Sequence, residues 1–305
     1  MPKVALRLYR PQRKTRQLID LILELVSKYD IPVTVRQVHY LLVGIAQINH
    51  PNTLSGYQKV SRILTDMRYG GLLDWDKIVD QSRDVYKQES YKDIGEAVNM
   101  LLARYRRDRW QGSDYYVEVW VEKRTVINQF YPITNGADVY LASGGGFSSA
   151  TYVYEARERL KAQQDMGKEI VVLYFGDLDS SGEFMSEDIE KRFKEWRIDL
   201  SVKRVCLNDE HLRQYNLPMT FDVPVRSGDQ IVNKLERDPR AKRFAEKHKG
   251  MLFQVELEAL DPNILREMLV AALSEYVDEE EQKRIRTKEK LEINRIRRRL
   301  DLRKG

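Results

Sequence analysis

The stretch Val171-Val172-Leu173-Tyr174-Phe175-Gly176-Asp177-Leu178-Asp179-Ser180-Ser181-Gly182 constrains this chain more than any other. A continuous apolar run that stops at Gly-Asp-x-Asp is how a parallel strand, covered on both faces, delivers acids to the edge of a sheet. Alternate side chains of an extended backbone share a face, so Asp177 and Asp179 can aim at one point. Two carboxylates converging there repel unless one is protonated or a cation lies between them. Oxygen ligands of this kind suit Mg²⁺ or Mn²⁺, which keep waters for a phosphate to replace. The stretch therefore predicts a metal and phosphate site.

The residues around it agree. The periodicity predicts a strand over 115–121 ending at Glu122-Lys123, a helix to about 131, and a strand over 137–142 running into Gly144, Gly145 and Gly146. A helix over 150–163, a strand over 170–175, a helix over 183–196 and a strand over 200–207 follow. Strands alternating with helices predict an α/β fold with a parallel, Rossmann-like sheet, whose ligands bind beyond the carboxyl ends of the strands. Glu122, the glycine turn and Asp177/Asp179 all fall at such ends, and Glu118, on the same strand face as Glu122, is a rival ligand. The glycine run lacks the Lys-Ser/Thr of a P-loop, so it reads as a phosphate-friendly turn or a tight connection.

Before residue 111 the pattern is helical. Residues 15–28 carry Ile19, Ile22, Leu23 and Val26 at helical spacing. Thr34 is a plausible N-cap for a second helix, and Thr53 opens a third that Gly70-Gly71 ends. A hairpin over 72–79 would complete a winged helix-turn-helix, with Ser55, Gln58, Lys59 and Arg62 on the outward face of the third helix, ready for a DNA groove. On the second helix Tyr40 and Arg36, one turn apart, lie away from the apolar stripe. A phenol becomes a useful nucleophile only when a cation or a base favours its deprotonation, and Arg36 is a candidate for the first role. As one of 17 tyrosines, Tyr40 also fits a side chain that packs at a rim.

The expected layout is a basic arm over 1–14, a winged-helix unit with a connector helix over 15–110, an α/β unit over 111–278, and a charged helix over 279–305. Residues 84–108 look helical and end in Arg104-Tyr105-Arg106-Arg107-Asp108-Arg109, either a solvated connector or a phosphate-contacting stripe. Composition adds limits. The 52 Lys and Arg against 47 Asp and Glu give a net charge of +5, compatible with nucleic acid but weak on its own. The single Cys206 excludes an intramolecular disulfide framework. No run approaches the ~20 apolar residues of a membrane span, and no signal-peptide core is present, so a cytoplasmic location without membrane contact is expected. The four histidines lack zinc-ligand spacing.

Taken together these motifs resemble the Toprim domain, with its Glu after the first strand and Asp-x-Asp after a later one. More narrowly the chain resembles the A subunit of topoisomerase VI and the related meiotic double-strand-break transesterases, especially their compact, stand-alone Mini-A branch. Val121-Glu122-Lys123 matches their Val-Glu-Lys, and Asp177-Leu178-Asp179-Ser180-Ser181-Gly182 matches Asp-x-Asp-Pro-x-Gly, with Ser180 in place of proline. Arg36-Gln37-Val38-His39-Tyr40 matches Arg-Asp-Ile-Tyr-Tyr, and the similarity continues through Tyr215-Asn216-Leu217-Pro218 and Val255-Glu256-Leu257-Glu258-Ala259-Leu260-Asp261-Pro262.

The resemblance implies a homodimer that binds double-stranded DNA. Tyr40, helped by Arg36 and with Lys123 near the phosphate, would form a phosphotyrosyl link. Mg²⁺ held by Glu122, Asp177 and Asp179 would stabilise the reacting phosphoryl group, with the tyrosine of one protomer serving the metal site of the other. Strand passage would need a separate ATPase subunit. Two alternatives keep parts of this picture: a metal-dependent nuclease that uses water, and a DNA-binding module with an inert metal site.

Overall fold

The computed structural model describes residues 8–45, 48, 50–79, 90–143, 150–227 and 230–300. The first elements are helices α1 (Arg13–Ser27), α2 (Val35–Val43) and α3 (Leu54–Tyr69). Thr34 caps α2 reciprocally: its hydroxyl accepts from Gln37 N at 3.2 Å, and Gln37 Oε1 accepts from Thr34 N at 2.8 Å. Thr53 caps α3 through Gly56 N. The apolar stripes of the three helices meet in a core that includes Ile19, Ile22, Val38, Leu42, Val60, Leu64 and Met67.

The hairpin expected over 72–79 does not form. Trp75–Lys77 is a single 3₁₀ turn, and strand β2 (Ile78–Val79) pairs parallel with β1 (Val33–Thr34). Ile78 and Val33 are both buried, so the apolar pair goes to the helical core instead of a solvated wing.

Strands β3 (Tyr115–Val121), β4 (Tyr140–Ser143), β5 (Glu169–Phe175) and β6 (Leu200–Cys206) form one parallel sheet in the order β4-β3-β5-β6. Crossover helices α5 (Ile127–Ala137), α6 (Ala150–Asp165) and α7 (Met185–Glu195) join them. Period-two alternation sorts the side chains. Val117, Val119, Val121, Val171, Leu173 and Phe175 pack with Phe130 of α5 and Leu265 and Leu269 of α11 (Pro262–Ser274). Tyr116, Trp120, Ile170, Val172 and Tyr174 pack with Leu160 of α6 and Phe193 of α7. The result is a mixed α/β fold with helices on both faces of a parallel sheet.

Two expected boundaries move. Helix α5 runs on through Pro132 to Ala137 and stops where Asp138 turns left-handed (φ 59°), which delays β4 to Tyr140. Residues 254–259 make single bridges at Gln254 and Val255 and a 3₁₀ turn at Leu257–Ala259.

The basic cluster after helix α4 (Ile94–Arg104) is extended and anchors the last helix, α12 (Glu279–Arg299). Arg107 pairs with Glu292, its backbone N donates to Glu289 at 2.9 Å, and Tyr105 donates to Glu292 at 2.7 Å. Arg106 and Arg109 donate to the backbone of Asn135 and Gly136 at the end of α5. These side chains are committed to internal partners, which weakens their reading as a phosphate stripe. Among the described residues no helix is long and apolar enough to cross a membrane.

Candidate active site

In the strand order β4-β3-β5-β6 the chain first steps from β3 outward to β4, then returns past β3 to β5. The crevice beyond the carboxyl ends of β3 and β5 is therefore the topological switch point, where open α/β sheets bind ligands. Glu122-Lys123 leaves β3 there and Gly176-Asp177 leaves β5. Glu122 N donates to Phe175 O at 2.9 Å, and Glu122 Oε2 accepts from Asp177 N at 2.9 Å and from the Tyr174 hydroxyl at 3.2 Å. Only glycine fits between them: a Cβ at Gly176 would lie 2.7 Å from Glu122 Oε2 and 2.5 Å from the Tyr174 oxygen.

The turn that follows holds Asp177 and Asp179 separately. Asp177 Oδ1 accepts from Leu257 N at 2.8 Å, while Asp179 Oδ1 caps the turn by accepting from Ser181 N (3.0 Å) and Gly182 N (2.7 Å). A Cβ at Gly182 would lie 2.2 Å from Asp177 O, so this glycine is also required. Two arginines that carry no motif grip the turn. Arg204 of β6 donates to the carbonyls of Asp177 (2.5 Å), Gly182 (2.6 Å) and Leu207 (2.9 Å) with its guanidinium over the Tyr174 ring. Arg240 donates to the Ser181 hydroxyl at 2.8 Å.

The segment 254–258 runs antiparallel beside this turn, with Leu178 and Val255 exchanging both backbone hydrogen bonds at 2.9 Å. It brings two carboxylates that motif reasoning did not assign to the site, Glu256 and Glu258. Their signal was present as acids two apart in Val-Glu-Leu-Glu, but an acid pair without a strand end beside it says nothing about where it points. Lys123 Nζ bridges Asp177 Oδ2 and Glu256 Oε2, both at 2.8 Å, with Glu258 at 3.9 Å. Arg36 NH1 meets the same Glu256 oxygen at 2.8 Å, and Arg36 Nε is 3.7 Å from Glu258. Tyr40, one turn on from Arg36, lies close enough to Glu256 for that carboxylate to raise its phenol. The helix face that carries no core residues thus closes onto the sheet's edge.

The charges are unevenly matched. Burial, then the neighbouring Asp177 and Asp179 carboxylates, push Glu122 up to about 7. Burial also raises Asp177 against the pull of Lys123, and it pushes Glu258 up to about 7. Glu256 moves the other way: burial opposes it, but Lys123 and Arg36 hold its carboxyl below the ordinary range. Burial, then Glu256, raise the Tyr40 phenol, while Arg36 pulls it down. A buried excess of carboxylates with oxygen-only donors fits a hard divalent cation, and Glu122, Asp177 and Asp179 are the residues that would hold one. Their oxygens do not close into a cage in this arrangement, because Asp179 is turned onto its own backbone and Asp177 onto Lys123.

Among the described residues one group does bring its ligand atoms within 4.8 Å of one another: Glu183, Asp209 and His248. Glu183 follows the acid turn, Asp209 opens α8 (Asp209–Gln214), and His248 ends α10 (Ala241–Lys247), which follows the short helix α9 (Lys234–Arg237). His248 Nε2 is 2.9 Å from Glu183 and Nδ1 is 3.4 Å from Asp209, with the ring packed against Phe244 and Phe253. Lys247 pairs with the second oxygen of Glu183. This cluster is spaced to hold a metal ion. Histidine spacing in the sequence pointed to no such group, because its members come from three separate elements.

The other predicted residues separate clearly. Ser55, Gln58, Lys59 and Arg62 are exposed along α3. Gly144, Gly145 and Gly146 lie outside the described residues. Glu118 is no rival ligand: it is fully buried and accepts from Tyr116, Trp120 Nε1 and both Arg159 Nε (2.6 Å) and NH2 (2.9 Å). No protein-family model, curated protein or solved structure matches the chain.

Proposed function

We propose that this chain is a divalent-metal-dependent DNA-cleaving transesterase of the type IIB topoisomerase A-subunit kind, with a helical unit carrying Tyr40 and a Toprim unit carrying the acids. The observation that carries this reading is that Arg36, with Tyr40 one turn on, pairs with Glu256, which also pairs with Lys123, and Lys123 in turn pairs with Asp177 at the switch point. A tyrosine, two cations and a buried acid set converge, which a plain DNA-binding module does not need.

In the chemistry, Tyr40 Oη attacks a DNA phosphorus, a P–O(Tyr) bond forms and the P–O bond to the sugar breaks. Glu256 takes the phenol proton and the departing sugar oxygen is protonated in turn, so the phosphodiester energy is retained for religation. Arg36 and Lys123 neutralise phosphate charge near the reacting oxygens. A Mg²⁺ or Mn²⁺ ion held by Glu122, Asp177 and Asp179 would supply electrostatic stabilisation of the phosphoryl group. Ser55, Gln58, Lys59 and Arg62 of α3 would face the double helix, a homodimer would make paired breaks, and strand passage would need a separate ATPase subunit.

One observation favours a second reading. The Tyr40 phenol is held protonated by burial and by Glu256, which would suit a metal-dependent nuclease in which Glu256 activates water and Tyr40 only positions it. Denaturing gels after incubation with supercoiled DNA and Mg²⁺ decide between them. The transesterase gives a covalent protein–DNA adduct lost in Tyr40→Phe and Asp177→Ala, whereas cleavage that persists in Tyr40→Phe without adduct overturns it.

A further inference from the structure

We infer that Glu183, Asp209 and His248 form a second metal site, one that selects Zn²⁺ over Mg²⁺, and that the bound ion braces the acid turn against the segment after β6 and the end of α10. This stands apart from the transesterase reading, because none of the three residues takes part in that chemistry.

Two of the ligands are fixed in advance. Glu183 N donates to Asp179 O at 3.0 Å, so Glu183 closes the acid turn. The side chains of Glu183 and His248 are each only 7% exposed. The His248 ring is wedged against Phe244 and Phe253, with ring centroids 4.1 Å and 5.1 Å away. Asp209 is 51% exposed and has room to move. Each imidazole nitrogen faces a carboxylate, Nε2 at Glu183 and Nδ1 at Asp209. An ion entering between the two acids takes one of these nitrogens, and any proton on it leaves. The ligand atoms lie within 4.8 Å of one another and must draw in to about 3.3 Å, the edge of a tetrahedron with zinc bonds of ~2.0–2.1 Å. The half-exposed Asp209 supplies that movement.

The surroundings favour a cation. Glu183 and Asp209 open on a cleft of about 450 Å³ that Arg204, Asn208, Glu210 and Lys247 also line, which leaves a fourth position for water. The two cations there are already engaged. Lys247 pairs with the other oxygen of Glu183, and Arg204 donates to the carbonyls of Asp177, Gly182 and Leu207. Three carboxylates against two cations leave the cleft negative. One imidazole with two carboxylates is a zinc donor set, whereas Mg²⁺ takes oxygen ligands. Bound there, the ion ties three segments together, and Glu183 passes the restraint to Asp179 through the backbone hydrogen bond.

Zn²⁺ added to the chelator-stripped full chain in excess Mg²⁺, followed by calorimetry and by hydrogen exchange with mass spectrometry, tests this. One equivalent should bind and slow exchange in peptides over 178–184, 207–212 and 244–250. Asp209→Asn changes a half-exposed side chain and should fold normally; it should weaken Zn²⁺ binding by at least about 10-fold, the least that losing even an outer partner costs a metal site. His248→Gln should weaken it likewise. His39 and His50, with ring nitrogens 3.0 Å apart, are a rival zinc-binding pair. Protection over 34–57 in place of the three peptides, or binding unchanged in Asp209→Asn, would overturn the site. Binding without slowed exchange over 178–184 would overturn the brace. No DNA is present, so a failure of the transesterase reading leaves these outcomes untouched.

Discussion

Lys123 and Asp177 leave the ends of adjacent parallel strands and meet as a buried ion pair, Nζ to Oδ2 at 2.8 Å. The same ammonium reaches Glu256 at 2.8 Å, so one cation serves two carboxylates; without it Glu256 keeps Arg36, while Asp177 keeps the Leu257 N–H but no cation partner.

Replacing that cation should be expensive and metal-reversible. Lys123→Met is expected to lower unfolding free energy by roughly 3 kcal/mol in metal-free buffer, the range for breaking a buried pair. Added Mg²⁺ should recover much of the loss, because a divalent ion offsets the same carboxylates. Urea titrations with and without MgCl₂ measure both; equal stability of variant and wild type would show that the pair contributes little.

Gly176 and Gly136 form a matched contrast. Gly176→Ala puts a methyl 2.7 Å from Glu122 Oε2 and should displace that carboxylate, destabilising by about 1–3 kcal/mol and weakening Mg²⁺ binding. At Gly136, in α5, a Cβ meets nothing within 4 Å, and alanine should be neutral or stabilising by up to about 1 kcal/mol. Thermal melts of the two variants should move in opposite directions or leave Gly136→Ala unmoved.

Glu258 sets a pH dependence. Its folded pKa of about 7 lies above the ordinary carboxyl value of 4.5, so the folded state binds its proton more tightly than the unfolded state. The resulting stability is fully present below about pH 4.5 and is lost as pH rises towards 7. It amounts to at most about 3 kcal/mol. Glu258→Gln should flatten that part of the stability profile. Tm measured from pH 4.5 to 8 for both proteins checks it; parallel curves would mean that Glu258 titrates normally.

Divalent ions have two carboxylate groups to choose between. The all-oxygen set of Glu122, Asp177 and Asp179 should prefer Mg²⁺, and the imidazole-containing set of Glu183, Asp209 and His248 should prefer Zn²⁺. A Zn²⁺-induced rise in Tm should vanish in His248→Ala and survive Asp177→Ala, with the reverse for Mg²⁺. Loss of both shifts in a single variant would place both ions at one site.

Lys59 and Arg62 are exposed on α3 and should contact phosphate. Each alanine variant is expected to weaken duplex binding about equally across sequences and to reduce the slope of log K against log salt by about 0.9. Fluorescence anisotropy at several salt concentrations reads this, and an unchanged slope would remove α3 from the DNA-contacting surface.

Features governed by neighbours along the chain were legible from residue order. The apolar run into Gly-Asp-x-Asp is a parallel strand ending at its acids, Thr34 and Thr53 are helix caps, and Glu122 does lie beside Asp177. Arg36 and Tyr40 do share the helix face opposite the core, because a 3.6-residue period fixes which side chains face together. Three-dimensional packing decided the rest. The expected hairpin gave way when Ile78 found a buried place against Val33, and the arginines after α4 were claimed by Glu289, Glu292 and the end of α5. The role of an acid depends on what folding sets opposite it. Glu118 was taken out of the site by Arg159 under α6, Glu256 was brought in from residues far along the chain, and His248 met Glu183 and Asp209 only through three converging elements. Charge–charge energies fall with distance through space, so no spacing along the chain could have specified them.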